Sequence, residues 1–227
     1  MRLEKYLVEC GVASRRKIKK AVREGRATIN GIIEYNDGAD VYEGDIITFD
    51  GVVPEKKVLK YYIMNKLKGY VTAMSDENKK TVVELLPDFV DKKCVFPVGR
   101  LDRDTEGLLL FTSDGDLSHT IAHPDNEMEK TYYVELIRDI SEEDIKALET
   151  GVTLNTGYQA LPGKVEYINA RAINLTITEG KYHQVKKMLR AVYNKVVYLK
   201  RIKFCNLTLD GIEPGEVKEI KREDIII

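Results

Sequence analysis

The stretch F-P-V-G-R-L-D-R-D-T-E-G-L-L-L-F-T-S-D-G, residues 96–115, decides how the rest of the chain is read. Leu108, Leu109, Leu110 and Phe111 form a four-residue apolar block, the length and character of a buried strand. Gly99 and Gly107 bracket the polar segment before it, and Thr112, Ser113, Asp114 and Gly115 read as a turn after it. Arg100, Asp102, Arg103, Asp104 and Thr105 therefore sit on a loop delivered onto a sheet, and loops held by a rigid scaffold are where chemistry concentrates. Asp104 and Asp114 are assigned turn and loop duties.

Around this stretch lies an ordinary soluble composition. The chain has 227 residues, 43% hydrophobic and 32% charged, with a formal net charge of −1. That length allows one large domain or two unequal ones. No apolar run is long enough to span a bilayer. The opening M-R-L-E-K-Y-L-V-E-C-G carries charge throughout and lacks a signal-peptide pattern. Three isolated cysteines, Cys10, Cys94 and Cys205, argue against a disulfide framework or a thiolate metal site and fit a reducing cytoplasm. The near-zero charge conceals two basic stretches. Residues 1–26 hold nine Lys/Arg against three Glu, and residues 181–203 hold eight Lys/Arg and no acid. A polyanion senses such local patches rather than the total, so nucleic acid is the expected partner.

In order, residues 2–10 place Leu3, Tyr6, Leu7 and Cys10 on one helical face, and Gly11 stops the helix. Ser14 reads as the N-cap of a second helix that turns Ile18, Ala21 and Val22 inward and ends at Gly25. Asn30-Gly31 marks a hairpin and residues 45–50 a strand, which completes a compact module over residues 1–53. Residues 54–59, with Pro54 and a charge cluster, read as a linker. A second domain follows over residues 60–227. Strands are expected at 60–67, 108–111, 130–137, 152–154, 163–168, 172–179 and 195–204. Helices are expected at 81–86, 116–123, 141–151 and 184–192. His119 and His123 have metal-ligand spacing but no third ligand nearby, and no metal site is expected. The strands mostly alternate, which predicts an α+β fold with a mixed or antiparallel sheet.

The segment G-R-L-D-R-D-T-E-G-L-L-L-F-T-S-D-G (99–115) resembles the signature of RNA pseudouridine synthases. K-T-Y-Y-V (130–134) resembles their second motif and E-G-K-Y-H-Q-V-K-K-M-L (179–189) their third. The N-terminal module resembles an S4 RNA-binding domain through Arg2, Leu3, Lys5, Leu7, Gly11, Ser14, Arg15, Arg16, Gly25, Ile29, Asn30, Gly31, Gly44 and Asp45. Segments 69–76, 102–107 and 158–166 are closest to the type acting on small-subunit (16S) ribosomal RNA. The resemblance implies Asp102 as the catalytic aspartate, Tyr132 as the tyrosine under the target base and Lys186 as the aspartate's basic partner, where some relatives carry Arg. It implies Arg100 as the arginine that helps displace the flipped base, with Lys181 an alternative for the cation role. It further implies RNA contacts from Arg2, Lys5, Arg15, Arg16, Lys17, Lys19, Lys20 and Arg23, ribosomal RNA or a partly assembled subunit as partner, a monomer and a cytoplasmic location.

The chemistry fits those residue types. Pseudouridine formation breaks the N-glycosidic bond of a uridine, turns the uracil and rejoins it through C5. Because this is a redox-neutral isomerisation, no cofactor is implied. It needs an ionised carboxylate near a cation, acting on the sugar or on the base, and an aromatic platform for a base taken out of its stack. The spacing of Asp102 and Asp104 also suggests a glycosidase pair, but two loop positions do not place them across a sugar. The rival of a different class is a non-catalytic RNA-binding assembly factor. A synthase acting on large-subunit RNA is the other alternative.

Overall fold

The computed structural model describes residues 1–226 and divides the chain into two compact units, Met1–Leu59 and Lys60–Ile227.

In the first unit, α1 (Leu3–Glu9) and α2 (Arg15–Arg23) pack on a three-stranded antiparallel sheet of β1 (Ala27–Ile29), β2 (Ile32–Glu34) and β3 (Ile47–Phe49), in the order β2-β1-β3. Leu3, Leu7, Ile18, Ala21, Val22, Ala27, Val41, Ile47 and Phe49 are its buried core. The β1–β2 turn uses Asn30 at φ 52° and Gly31 at φ 80°, the two left-handed residues that a tight hairpin needs. Ser14 occupies the N-cap position of α2, but its side chain makes no capping bond.

The second unit is built on one large mixed sheet. Its strands are β4 (Tyr61–Lys66), β5 (Phe96–Val98), β6 (Glu106–Thr112), β7 (Lys130–Leu136), β8 (Lys164–Asn169), β9 (Ala172–Ile177), β10 (Val196–Phe204), β11 (Leu207–Thr208) and β12 (Val217–Ile220). Their order is β12-β4-β6-β10-β7-β9-β8, with β5 paired to β6 and β11 to β10. Every pairing is antiparallel except β6 with β10. α3 (Gly115–Ala122), α4 (Glu142–Thr150) and α5 (Gln184–Ala191) cover the sheet together with a short 3₁₀ turn at Val82–Leu85. Two apolar cores result. Leu109 and Phe111 point into one with Val134, Leu175, Val185 and Leu189, while Leu108 and Leu110 point into the other with Val98, Leu117, Ile121 and Phe204. This covering of both faces is why residues 108–111 read as an unbroken apolar run rather than an alternating one.

Three local expectations change. Residues 152–154 are not a strand: the chain folds back on itself there, Leu154 N–H donating to Tyr158 O (2.8 Å) and Ala160 N–H to Val152 O (3.0 Å). β6 starts at Glu106, two residues before its apolar block, because Glu106 and Gly107 pair with Lys200 and Arg201 of β10. The 112–115 turn is also a helix start, since the Asp114 carboxylate accepts from Leu117 N–H at 2.9 Å and caps α3.

Candidate active site

A single transverse row of the large sheet organises the site. Lys66 of β4 pairs with Gly107 of β6, Gly107 with Arg201 of β10, and Arg201 with Tyr132 of β7. Residues opposite one another in a ladder point to the same face. The row therefore collects a lysine, an arginine and a tyrosine from three distant segments on one side. The approach of β6 to β10 is close enough that a Cβ at Gly107 (φ 102°) would stand 2.2 Å from the Arg201 carbonyl oxygen. Only glycine fits there.

The loop carrying Asp102 crosses the end of this row and is held by its neighbours. The buried Lys66 ammonium donates to the carbonyls of Asp102 (3.1 Å), Thr105 (2.7 Å) and Leu67 (3.2 Å). The Thr72 hydroxyl donates to Leu101 O at 2.8 Å and accepts from Leu101 N–H at 3.0 Å. Gly69 N–H donates to Arg103 O at 2.7 Å, and Arg103 Nε returns a bond to Gly69 O at 3.1 Å. Burial lowers the Lys66 ammonium to about 8, against the opposing pull of Asp104, Glu106 and Asp102.

α5 brings the cation. Its buried side, Val185, Met188 and Leu189, packs on the sheet, which sets Lys186 against the loop. Lys186 Nζ lies 2.9 Å from Asp102 Oδ2 and 2.6 Å from Asp104 Oδ1. Burial pulls the Lys186 ammonium down, but the two carboxylates outweigh it and hold it above its ordinary value. Burial likewise works to raise Asp104, and the Lys186 ammonium overrides it and leaves that carboxyl below the usual range. Asp104 is thus the second acceptor of the site's ammonium and not merely a turn residue. His183, at the N-cap of α5 with φ 54°, sets Nε2 3.4 Å from Asp102 Oδ1.

Asp102, Tyr132, Lys186, Arg100 and Lys181 all line one cleft of about 540 Å³, together with His183 and Arg201. The sequence therefore names residues that the fold brings together from β7, α5 and the 99–105 loop. The basic residues of the first unit belong to a different place. Arg15, Arg16 and Lys17 are exposed on α2, while Lys19 pairs with Glu4 (2.9 Å) and Asp37 (3.4 Å), Arg23 with Asp37 (3.4 Å) and Lys20 with Glu24 (3.7 Å). Arg2 donates to Gly38 O at 2.5 Å and lies 3.5 Å from Asp40. Lys5 is half-buried on α1.

Sequence reasoning passes over Lys66, His183 and Arg201. Arg201 falls within the basic stretch 181–203, yet it is 2% exposed. Its Nε donates to Leu108 O at 2.8 Å, its guanidinium lies 4.4 Å from the Phe204 ring centroid, and its Nη2 has no hydrogen-bond partner among the described residues. Burial lowers its pKa, and the Tyr132 phenol opposes that shift. A signal was present: the two-residue period that buries Leu199 also turns Arg201 inward. Lys130, at the floor of the cleft, is lowered to about 8 by burial and by Arg201, and it donates to Met128 O (2.5 Å) and Thr178 O (3.0 Å).

Chemically, the cleft offers a half-buried carboxylate fixed by an ammonium, an aromatic ring on a rigid strand beside it and cations around the opening. These can hold a flat base next to a nucleophilic or charge-stabilising oxygen. His119 and His123 rings lie 5.3 Å apart, and no cluster of three or more His, Cys, Asp or Glu suited to a metal occurs among the described residues.

Residues 60–191 match the family model of RNA pseudouridylate synthases. The chain is 42% identical to a Bacillus subtilis protein named as an uncharacterized RNA pseudouridine synthase, YtzG, across 99% of this chain and 97% of that one. It is 36% identical to the ribosomal small subunit pseudouridine synthase A of Escherichia coli (99% and 98% covered) and 32% identical to the ribosomal large subunit pseudouridine synthase B of Bacillus subtilis (99% and 93%). A crystal structure of a pseudouridylate synthase superposes with a TM-score of 0.72 at 32% identity, covering 99% of this chain and 97% of that one. Sheet row, cleft and comparisons together place this chain in the RNA pseudouridylate synthase family, as an isomerase that makes pseudouridine in RNA.

Proposed function

We propose that the protein converts a uridine of small-subunit ribosomal RNA into pseudouridine, with Asp102 as the catalytic carboxylate. The observation that carries this reading is the pairing of Asp102 with Lys186 at 2.9 Å inside the cleft that Tyr132 also lines. Asp102 drives cleavage of the bond between N1 and C1′. The detached uracil turns over the Tyr132 ring, and C5 bonds to C1′. The C5 proton leaves to a base, for which the Tyr132 oxygen is placed, and N1 regains a proton, so the reaction is an isomerisation with no net exchange. Lys186 balances the Asp102 charge throughout. Arg100, exposed at the cleft's edge, takes the space the base vacates, and Lys181 meets the backbone phosphates.

The first unit acts as an S4-like RNA clamp, with the exposed Arg15, Arg16 and Lys17 its main phosphate contacts. The enzyme works as a cytoplasmic monomer. Relatives act, by name, on either ribosomal subunit. The small-subunit assignment rests on segments 69–76, 102–107 and 158–166.

The test is incubation of the purified protein with unmodified small-subunit and large-subunit RNA, separately and each with its ribosomal proteins, followed by adduct formation and primer extension. One new stop in small-subunit RNA, absent with Asp102→Asn, is the expected result. A stop only in large-subunit RNA overturns the subunit assignment, and turnover by deamidation-free Asp102→Asn overturns the role of the aspartate. No stop in either RNA, with binding intact, favours the assembly-factor reading.

A further inference from the structure

Tyr182 stands apart from the other exposed aromatic residues. Its ring is 73% exposed, yet it lies parallel on the His183 imidazole, with centroids 3.8 Å apart and planes 20° from parallel. It is the only parallel-stacked ring pair among the described residues. His183 in turn reaches to 3.4 Å from Asp102 Oδ1, so one ring thickness separates Tyr182 from the carboxylate of the cleft. The backbone beneath is locked. His183 sits at φ 54°, a conformation that a non-glycine residue keeps only where its surroundings impose it. The Glu179 carboxylate accepts from the Tyr158 phenol, from Leu161 N–H and from Gln184 Nε2, and Gln184 Oε1 accepts from Lys181 N–H. Two cations attend the two exposed tyrosines: Lys187 Nζ lies 5.2 Å from the Tyr182 ring centroid and Lys181 Nζ 5.0 Å from that of Tyr158.

A rigid, solvent-facing aromatic ring with a mobile ammonium beside it is what an unstacked nucleobase and its phosphate require. We infer that Tyr182 is the stacking platform for the nucleobase next to the target uridine, and that Lys187 swings from the ring to that nucleotide's phosphate. This rests on reading the Asp102 cleft as the uridine site. When a base is drawn out of a strand its neighbour loses a stacking partner, and a ring one layer from the cleft replaces that partner. The platform is indifferent to base identity, because every base offers a π-face.

The experiment uses the full-length protein and a short single-stranded RNA with one central uridine, carrying 2-aminopurine on its 5′ or its 3′ side. Wild-type protein is expected to quench 2-aminopurine at one of the two positions. Tyr182→Ala should abolish that quenching and weaken binding roughly tenfold. Tyr182→Phe should preserve both. Lys187→Ala should leave the quenching and lower the salt dependence of binding by about one phosphate contact. Quenching that survives Tyr182→Ala overturns the platform, as does a wild-type protein that quenches at neither position. Replacing the central uridine by an abasic residue tests the underlying cleft assignment separately. Affinity indifferent to the central base would refute the uridine site, whereas quenching that does not depend on Tyr182 refutes only the platform.

Discussion

Gly107 and Arg201 face each other across the parallel pair β6–β10, and the Arg201 carbonyl oxygen occupies the place where a side chain at 107 would begin, 2.2 Å from an ideal Cβ. The same register puts Arg201 opposite Tyr132. Gly107→Ala therefore has to separate two central strands while also adopting a left-handed φ. The expected cost is at least about 2 kcal/mol in urea unfolding, with loss of pseudouridine formation at temperatures where the variant is still folded. A variant with wild-type stability would show that the strands are not held this close.

Arg201 itself is a buried cation with an unpartnered nitrogen. Replacing such a group by an apolar chain of similar volume is often neutral or stabilising. Arg201→Met is expected to keep or raise the unfolding midpoint while turnover falls at least tenfold, because Tyr132 loses the guanidinium beside it. Equal loss of stability and activity would instead make Arg201 a purely structural residue.

Lys186 serves two carboxylates, and the two should separate kinetically. Asp104→Asn removes a partner but leaves the 2.9 Å contact to Asp102, so turnover should fall by less than about tenfold. Lys186→Met leaves both carboxylates without their ammonium and should reduce turnover by about a hundredfold or more, with RNA affinity changed far less. Single-turnover kinetics at saturating RNA measures both.

Two lysines, Lys66 and Lys130, are held near 8 by burial in the folded protein, against 10.5 in water. Between those values the unfolded chain binds more protons than the folded one, so stability rises with pH across that window and is flat below it. Urea titrations from pH 7 to 10 should show the rise, and Lys66→Met should remove part of it. The same variant releases the carbonyls of Asp102 and Thr105 and should lose activity at every pH.

The exposed Arg15, Arg16 and Lys17 are expected to act through charge alone. The triple alanine variant should leave thermal unfolding unchanged and flatten the slope of log affinity against log salt by up to about three contacts. An unchanged slope would place the RNA elsewhere on the molecule.

Much of this architecture is legible in the residues because local signals agree with it. The Asn30-Gly31 hairpin, the Ser141–Asp144 capping box and the apolar run at 108–111 each encode their element directly. The pairing of Asp102 with Lys186 was legible only through resemblance, since 84 residues separate them. What stayed hidden depends on register. Nothing local to Lys66 or Arg201 shows that Gly107 will align them with Tyr132, and a long basic stretch disguises a buried arginine among surface charges. His183 was hidden because its direction follows from an unusual backbone conformation rather than from its place in a motif.

The central position of β10 has a consequence for the timing of biosynthesis. The strand comprises residues 196–204 but lies between β6 and β7, which leave the ribosome much earlier. Until it inserts, those two earlier strands have no shared partner, and the row that aligns Lys66, Gly107 and Tyr132 is incomplete. Such long-range pairing is slow and leaves strand edges open while it waits. The newborn enzyme should thus gain its catalytic cleft in one late step, when the penultimate segment of the chain threads the middle of the sheet.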